Sequence, residues 1–150
     1  MEIKEIIGNP DYSEIIDLIN TIWPEEFGEK SDEEKICEME KSYNLTSDTI
    51  KYLYKEEKII GFYRYSLWPR ENKKTKSAHT LDIAILPSFQ NNGLGKYLMN
   101  DLISDCRKKG INKLLSRTFL NNKGSINLHK SCGFREQMKT EDSIVWIIEP

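Results

Sequence analysis

Residues 90–96 of the chain are Gln90-Asn91-Asn92-Gly93-Leu94-Gly95-Lys96. They lie between a strand-like run, His79–Leu86, and a long segment with apolar residues at helical spacing. Glycines let a backbone turn sharply and approach a ligand without a Cβ in the way. The helix that follows presents unpaired N–H groups and a partial positive charge at its N-terminus. The segment therefore predicts either an anion site suited to a pyrophosphate or simply a tight strand-to-helix turn.

Two common phosphate-binding loops do not match this segment. A Rossmann fingerprint requires a third glycine where this chain has Leu98. A Walker loop requires a glycine where the chain has Gln90, and a serine or threonine where it has Tyr97. Both nucleotide-binding motifs are therefore excluded.

Strand and helix patterns alternate along the rest of the chain. Runs rich in β-branched and aromatic residues predict strands over 2–7, 50–54, 58–67, 79–86, 114–119 and 143–148. Apolar residues at helical spacing predict four helices: one with its apolar face within 15–23, one with its apolar face within 36–43, a long one after the glycine turn with its apolar face within 98–106, and a short one over 125–131. Ser31 and Glu34 form a capping-box pattern that opens the second helix. This order predicts a mixed α/β fold around one sheet, in which early hairpins are followed by a β-α-β unit with parallel strands.

Composition limits the class of protein. The 150 residues suffice for one domain, and we expect a single domain over 1–150. The formal net charge of −2 argues against general nucleic-acid binding. Three scattered cysteines predict neither a disulfide framework nor a thiolate zinc site, and no other cluster predicts a metal. No apolar run approaches the ~18 residues that cross a bilayer. No signal-peptide pattern opens the chain, so we expect a cytoplasmic protein without a membrane partner.

Two linked motifs resemble those of a known family. The first is Ile85-Leu86-Pro87 followed by Gln90-Asn91-Asn92-Gly93-Leu94-Gly95. The second is Asn122-Lys123-Gly124-Ser125 followed by Leu128-His129-Lys130-Ser131-Cys132-Gly133-Phe134. In order and spacing they resemble the motifs of the GNAT N-acetyltransferases, which transfer acetyl groups from acetyl-CoA to amines. The resemblance covers residues 79–134 well and residues 1–78 only in topology. It implies a mostly antiparallel sheet with a splayed central parallel strand pair, flanked by helices.

The resemblance also implies how acetyl-CoA is held. The pyrophosphate would lie on backbone N–H groups of the glycine turn, and the pantetheine arm would pair with the central strand, across a gap from residues 114–119. A splayed strand has N–H and C=O groups that need partners, and an arm with amides can supply them as an added strand would. The implied cofactor-binding residues are Ile83, Ala84, Ile85, Gln90, Asn91, Asn92, Gly93, Leu94, Gly95, Lys96, Asn122 and Ser125. Asn122 is either a contact of the cofactor arm or the N-cap of the next helix.

Asp82 is the nearest carboxylate on the central strand, and it matches an acidic position of several amine acetyltransferases. A lysine-like amine has a reference pKa of ~10.4 and needs help to become neutral at pH 7. Asp82 is therefore predicted to bind the ammonium group or to accept its proton. The alternative is an aspartate that only holds a neighbouring side chain. By strand alternation, His79 and Asp82 should face opposite sides of the sheet.

His129 is a departure from the family pattern, which usually has tyrosine at this place in the second motif. That tyrosine is proposed to protonate the departing CoA thiolate. Histidine can also donate a proton, with a reference pKa of ~6.5 in place of ~10. The resemblance implies His129 as the general acid, provided that a carboxylate or the phosphates raise its pKa. The alternative is a residue that only lines the cofactor.

The acceptor is not specified by the sequence. Aromatic residues that either wall the acceptor side or belong to the core are Trp23, Phe27, Tyr63, Tyr65 and Trp68. The polar segment 69–77 is either a solvated loop or a basic rim. We expect a small-molecule or peptide amine as acceptor and consider a homodimer, the commonest assembly for such domains. The competing hypothesis is a non-catalytic acyl-CoA-binding module used for sensing or assembly.

Overall fold

A computed structural model describes residues 1–8, 10–24, 29–43, 48–69 and 76–150. The strands are β1 (Glu2–Glu5), β2 (Asp48–Lys55), β3 (Lys58–Leu67), β4 (Ser77–Ile85), β5 (Lys113–Phe119), β6 (Arg135–Lys139) and β7 (Ser143–Ile148). The helices are α1 (Tyr12–Ile22), α2 (Asp32–Ser42), α3 (Leu94–Lys108) and α4 (Lys123–Ser131), and a short 3-10 helix covers Pro87–Phe89. None of the helices in these ranges is long and apolar enough to span a membrane.

The strands form one seven-stranded sheet in the order β1-β2-β3-β4-β5-β7-β6. Every neighbouring pair is antiparallel except β4 and β5, which are parallel because α3 connects them across the sheet. The predicted mixed sheet with one parallel pair is therefore confirmed. The predicted cap of the second helix is also confirmed, since Ser31 Oγ accepts a hydrogen bond from Glu34 N at 3.2 Å.

The parallel pair is joined only at one end. β4 and β5 pair through Ser77, Ala78 and His79 on β4, opposite residues 113–115 on β5. Beyond His79, β4 continues to pair with β3, and β5 continues to pair with β7. The facing sides of these two strands thus diverge and leave backbone groups unpaired in the middle of the sheet. This divergence is the splay that the family resemblance implies.

The last hairpin contains a strand that the sequence analysis did not predict. All five residues of β6 are exposed, and they show no apolar alternation. β6 forms because it pairs with the apolar strand β7 at the edge of the sheet. The residues of β6 therefore do not predict a strand by themselves, and its pairing with β7 is what makes it one.

Helix α3 covers one part of the core. Leu98, Met99, Leu102 and Cys106 are almost completely buried along its inner face. The helix begins after Gly93, which has a φ of 76°, and its last turn contains Arg107 and Lys108. Cations at a helix C-terminus interact favourably with the helix dipole. The packing of α3 fixes the position of its N-terminus beside the end of β4.

Candidate active site

The turn between β4 and α3 presents a row of backbone amides. Asn91 and Gly93 have φ angles of 63° and 76°, a conformation that asparagine and glycine tolerate best. The first amides of a helix lack intrahelical acceptors, and the first bond of this helix runs from Tyr97 N to Gly93 O at 3.0 Å. Gln90 Nε2 donates to Ile85 O at 2.9 Å and ties the turn to the end of β4. The turn can therefore accept an anion on its backbone.

A cavity of about 400 Å³ lies beside this turn, and we call it the turn cavity. Its lining residues are Ile22, Trp23, Ile83, Ala84, Ile85, Gln90, Asn91, Gly93, Gly95, Lys96, Asn122, Gly124, Ser125 and Leu128. Both sequence motifs thus meet at one cavity. Two of the predicted cofactor-binding residues are not in its lining. The Leu94 side chain is buried in the core, and Asn92 Nδ2 donates within the turn to Phe89 O at 3.4 Å and to Gln90 O at 3.3 Å.

A second cavity, of about 410 Å³, lies where β4 and β5 diverge, and we call it the strand cavity. Its lining residues are Trp23, Thr80, Leu81, Asp82, Ile83, Ser116, Arg117, Thr118, Phe119, Asn121, Asn122, Ser125 and His129. It shares Trp23, Ile83, Asn122 and Ser125 with the turn cavity, so the two adjoin each other. Thr80 Oγ1 is buried and has no hydrogen-bond partner within the described ranges. A buried hydroxyl of this kind needs a partner from a bound group or water.

A third cavity, of about 260 Å³, lies under the helices α1 and α2, and we call it the helix cavity. Its lining residues are Ile19, Trp23, Glu38, Met39, Ser42, Arg64 and Asp82. Asp82 Oδ2 accepts from Arg64 Nε at 2.8 Å and from Arg64 Nη2 at 2.7 Å. Trp23 and Asp82 line both this cavity and the strand cavity. The three cavities therefore adjoin one another, and we call them together the channel.

His79 and Asp82 of β4 lie in different surroundings. β4 has one extra residue, Leu81, between the partners of Arg64 and Tyr65 on β3, so strand alternation is interrupted before Asp82. His79 packs edge-on against Trp68 with ring centroids 5.8 Å apart, and it is not in the lining of the strand cavity. Asp82 alone of this pair reaches the channel.

His129 is buried between α4, β5 and β7, with 1% of its surface exposed. Its Nε2 lies 2.7 Å from Ser116 Oγ, and its Nδ1 lies 2.7 Å from the carbonyl oxygen of Ser125. The ring stacks on Trp146 at a centroid distance of 5.7 Å. Burial lowers the pKa of His129 below its usual value, and the Ser125 carbonyl opposes this only in part. The imidazole is therefore neutral at pH 7, whereas direct donation to a thiolate would require an imidazolium ion.

Asn122 is the N-cap of α4, and it also lines two of the cavities. Its Oδ1 accepts a hydrogen bond from Ser125 N at 3.1 Å and caps α4. Asn122 also lines the turn and strand cavities.

Among the aromatic candidates, Trp23 lines all three cavities. Tyr63 and Tyr65 are core residues whose hydroxyls donate to Asp101 and Asp105 of α3, respectively. Phe27 and most of the segment 69–77 lie outside the described residues.

The sequence analysis did not single out Arg64, Thr80 or Ser116. Arg64 sits in a strand between tyrosines, and its pairing with Asp82 depends on the register across two strands. Ser116 and Thr80 are small polar residues within apolar strands. The one sequence signal that could have identified them is a polar residue at a position that strand alternation assigns to the buried face of the sheet. Within the described ranges, no group of three His, Cys, Asp or Glu side chains could hold a metal ion.

The buried imidazole predicts a loss of stability in mild acid. The folded-state pKa of His129 lies below the reference value of 6.5, so the unfolded chain binds more protons as the pH falls below that value. The free energy of unfolding should be fully retained above pH 6.5 and should decrease from there toward the folded-state pKa. We expect wild type to lose stability relative to His129→Phe in urea unfolding as the pH falls through the reference value of about 6.5. His79 is present in both proteins, so its own lowered pKa cancels in this difference; a difference that is independent of pH would contradict the prediction.

Comparison with known proteins supports the sequence resemblance. A family model described as the acetyltransferase (GNAT) family matches residues 12–134. The ribosomal protein bS18-alanine N-acetyltransferase of Escherichia coli strain K12 is 36% identical over 59 residues, which cover 39% of this chain. The chain spans 40% of the length of that curated relative.

Solved structures show the same fold at low sequence identity. The ribosomal-protein-S18-alanine N-acetyltransferase from Escherichia coli superposes with a TM-score of 0.76 at 18% identity, covering 99% of this chain and 94% of that chain. The spermidine N-acetyltransferase from Vibrio cholerae, in complex with CoA and spermine, superposes with a TM-score of 0.75 at 18% identity, covering 98% of this chain and 95% of that chain. Because the family model spans both motifs and the splayed strand pair, the chain belongs to the GNAT acetyltransferase family.

Proposed function

We propose that the protein transfers an acetyl group from acetyl-CoA to a primary amine. The observation that carries this proposal is that three cavities with shared lining residues adjoin an amide-lined turn, a pair of diverging strands and a carboxylate. Each part matches one need of the reaction. The turn can bind a pyrophosphate, the strands can position a thioester, and the helix cavity can admit an amine.

In this proposal, acetyl-CoA occupies the turn and strand cavities. The amides of residues 91–96 bind the pyrophosphate, assisted by the positive end of α3. The unpaired side of Ile83–Ile85 binds the amides of the pantetheine arm, because β5 does not pair with β4 at this level. Asn122 and Ser125 border the arm from the other side. In this proposal the thioester lies near Asp82 and the diverging end of β5.

The amine enters through the helix cavity and meets Asp82. We infer that the Asp82 carboxylate binds the incoming ammonium group or accepts its proton, while Arg64 holds that carboxylate in place. Ile19, Trp23 and Met39 supply an apolar wall that suits the carbon chain of an amine. The acceptor is a small-molecule or peptide amine. The predicted homodimer and cytoplasmic location stay predictions.

A coupled thiol-release assay with acetyl-CoA tests the proposed function. The amines should include spermidine, free amino acids and a peptide with an N-terminal alanine, and the expected result is CoA release that requires one of them. Acetyl-CoA at a hundredfold excess over its dissociation constant should also raise the free energy of unfolding by about 2.7 kcal/mol. Stabilisation without turnover across the panel would favour the acyl-CoA-binding module, for which the replacement of tyrosine by His129 is the supporting observation. Failure to bind would overturn both functions.

A further inference from the structure

Both ring nitrogens of His129 already have partners inside the protein. A carbonyl oxygen can only accept a hydrogen bond, so Nδ1 carries the proton that is donated to Ser125 O. In the neutral ring Nε2 is then an acceptor, and Ser116 Oγ donates to it at 2.7 Å. His129 has 1% of its surface exposed and Ser116 has 4%. Both residues line the strand cavity, and the acceptor lone pair of Nε2 is occupied by the serine hydroxyl.

We propose that Ser116 and His129 form a proton relay that moves a proton from the attacking amine to the CoA thiolate. Ser116 is the catalytic residue, because it lines the strand cavity in which the proposed thioester lies. His129 acts through Ser116 as a positioning residue and as a temporary store for the proton. The inference rests on the proposed acetyl transfer. It replaces direct donation by His129 with transfer through a second residue.

The relay leaves the overall reaction balanced. The lone pair of the neutral amine attacks the thioester carbon and forms a tetrahedral intermediate with a protonated nitrogen. That nitrogen gives one proton to Ser116 Oγ while the original hydroxyl proton passes to His129 Nε2. When the C–S bond breaks, its electron pair stays on sulfur, Nε2 returns its proton to Ser116 Oγ, and Oγ gives a proton to sulfur. The products are an amide and free CoA thiol, and both residues regain their starting states.

The surroundings of His129 suit a base that is neutral at rest. Its neighbours on α4, β5, β7 and the segment before β6 are Ser125, Ser116, Trp146 and Phe134, which are all uncharged. The charged groups that line the strand cavity are Asp82 on β4 and Arg117 on β5, and the other titratable groups near this end of α4 are the exposed Lys130 and the C-cap residue Cys132. Arg117 donates to Ser143 and Asp142, away from the imidazole. Among the residues that the structure describes, no fixed charge bonds or stacks with the ring to stabilise the imidazolium form.

Position in the channel distinguishes this pair from an ordinary buried hydrogen bond. Ser116 lies on the first part of β5 that has lost its pairing with β4, opposite Asp82 across the strand cavity. Thr80, with its unpartnered buried hydroxyl, lines the same cavity. Two protons must leave an ammonium group during acetyl transfer. Asp82 is placed to take the first, and the relay is placed to carry the second to sulfur.

Single-turnover rates of four proteins test the relay: wild type, Ser116→Ala, His129→Gln and the double variant. We expect each single variant to lose about 10²-fold in rate, the lower end of a general acid–base contribution. The double variant should be no slower than the slower single variant, because the two residues act as one unit. Acetyl-CoA affinity should change by less than about threefold, since neither side chain is assigned to cofactor binding. Ser116→Thr keeps the hydroxyl and should recover most of the rate.

The pH dependence gives a readout that a structural role would not change. Wild type should lose activity as the pH falls through the lowered pKa of His129, and Ser116→Ala should lack this acid limb. Ser66→Ala is a matched control, because Ser66 is 3% exposed, lies on a strand and donates to the carboxylate of Asp48 outside the channel; it should keep the wild-type rate.

Wild-type protein alone gives a second test. Its single-turnover rate in mixtures of light and heavy water should depend on deuterium content along a curve, since two protons move together. A linear dependence, a wild-type rate in Ser116→Ala, or losses that add in the double variant would overturn the relay. Absence of turnover in wild type would instead overturn the proposed acetyl transfer.

Discussion

Gly93→Val is expected to reduce acetyl-CoA affinity by ~10²-fold or more, while the fold is retained. Apart from Gly93 and its two chain neighbours, no atom of the described residues lies within 4 Å of a Cβ placed on Gly93, so the substitution creates no clash with them. In the proposed complex that open space is where a phosphate approaches the amides. Hydrogen bonds to charged groups contribute about 1.5–3 kcal/mol each. Loss of two of them, at about 1.4 kcal/mol per tenfold in affinity, gives the expected change. Isothermal calorimetry with acetyl-CoA measures it.

Gly110→Val is a matched control for backbone strain. Gly110 has a φ of 75°, nearly that of Gly93, and a Cβ placed on it would likewise have no atom within 4 Å. It follows α3 at the end remote from the turn. A valine in this conformation destabilises by about 1–2 kcal/mol at either position. We expect equal losses of stability and a loss of binding only in Gly93→Val. Equal affinity in the two variants would show that the turn does not bind the pyrophosphate.

Asp82→Asn is expected to lower turnover by about 10²-fold or more at pH 7, with little change in acetyl-CoA affinity. The amide keeps the size of the side chain but cannot accept a proton from the amine or pair with its charge. The loss should shrink as the pH rises, because the free amine then deprotonates in solution. Steady-state rates from neutral to alkaline pH, with the best amine of the panel, measure this effect.

Arg64→Gln breaks the same ion pair but leaves the carboxylate in place. If Asp82 performs chemistry, this variant should lose much less turnover than Asp82→Asn at equal loss of stability. If the two variants have equal rates, or if the pH–rate profile of Asp82→Asn is parallel to that of wild type, then Asp82 has only a structural role. The comparison therefore separates the effect on turnover of losing the carboxylate from the effect of losing its ion pair with Arg64.

Local patterns in the sequence were sufficient to predict most elements. The turn at Gly93 and the cap at Ser31 depend on residues a few positions apart, which a sequence displays directly. The hairpin between β2 and β3 was predicted from its length, although Glu56 and Glu57 both take positive φ angles of 50° and 68°. Two-residue turns with positive φ suit the twist of a hairpin, and this geometry outweighed the unfavourable residue type.

Features that depend on contacts distant in sequence were not predictable in the same way. β6 is ordered by β7, and its own residues carry no periodic signal. Ser116 and His129 meet only after α4 folds back on β5, and Arg64 meets Asp82 only through a register with one extra residue on β4. The family motifs located the cofactor residues because those lie within short segments. The relay and the ion pair instead join side chains from separate elements.

The divergence of β4 and β5 gives this sheet two internal edges in addition to its outer ones. The outer edges carry charged residues, such as Glu2 and Lys4 on β1 and Arg135 and Lys139 on β6, which discourage pairing with a strand of another molecule. The internal edge at Ile83–Ile85 has no charge to protect it. It is protected by shape, since the two strands converge at Ser77–His79 and leave a wedge that narrows inward. In the proposed complex the occupant is an arm slimmer than a polypeptide, so we expect the width of the wedge, as well as hydrogen bonding, to favour it.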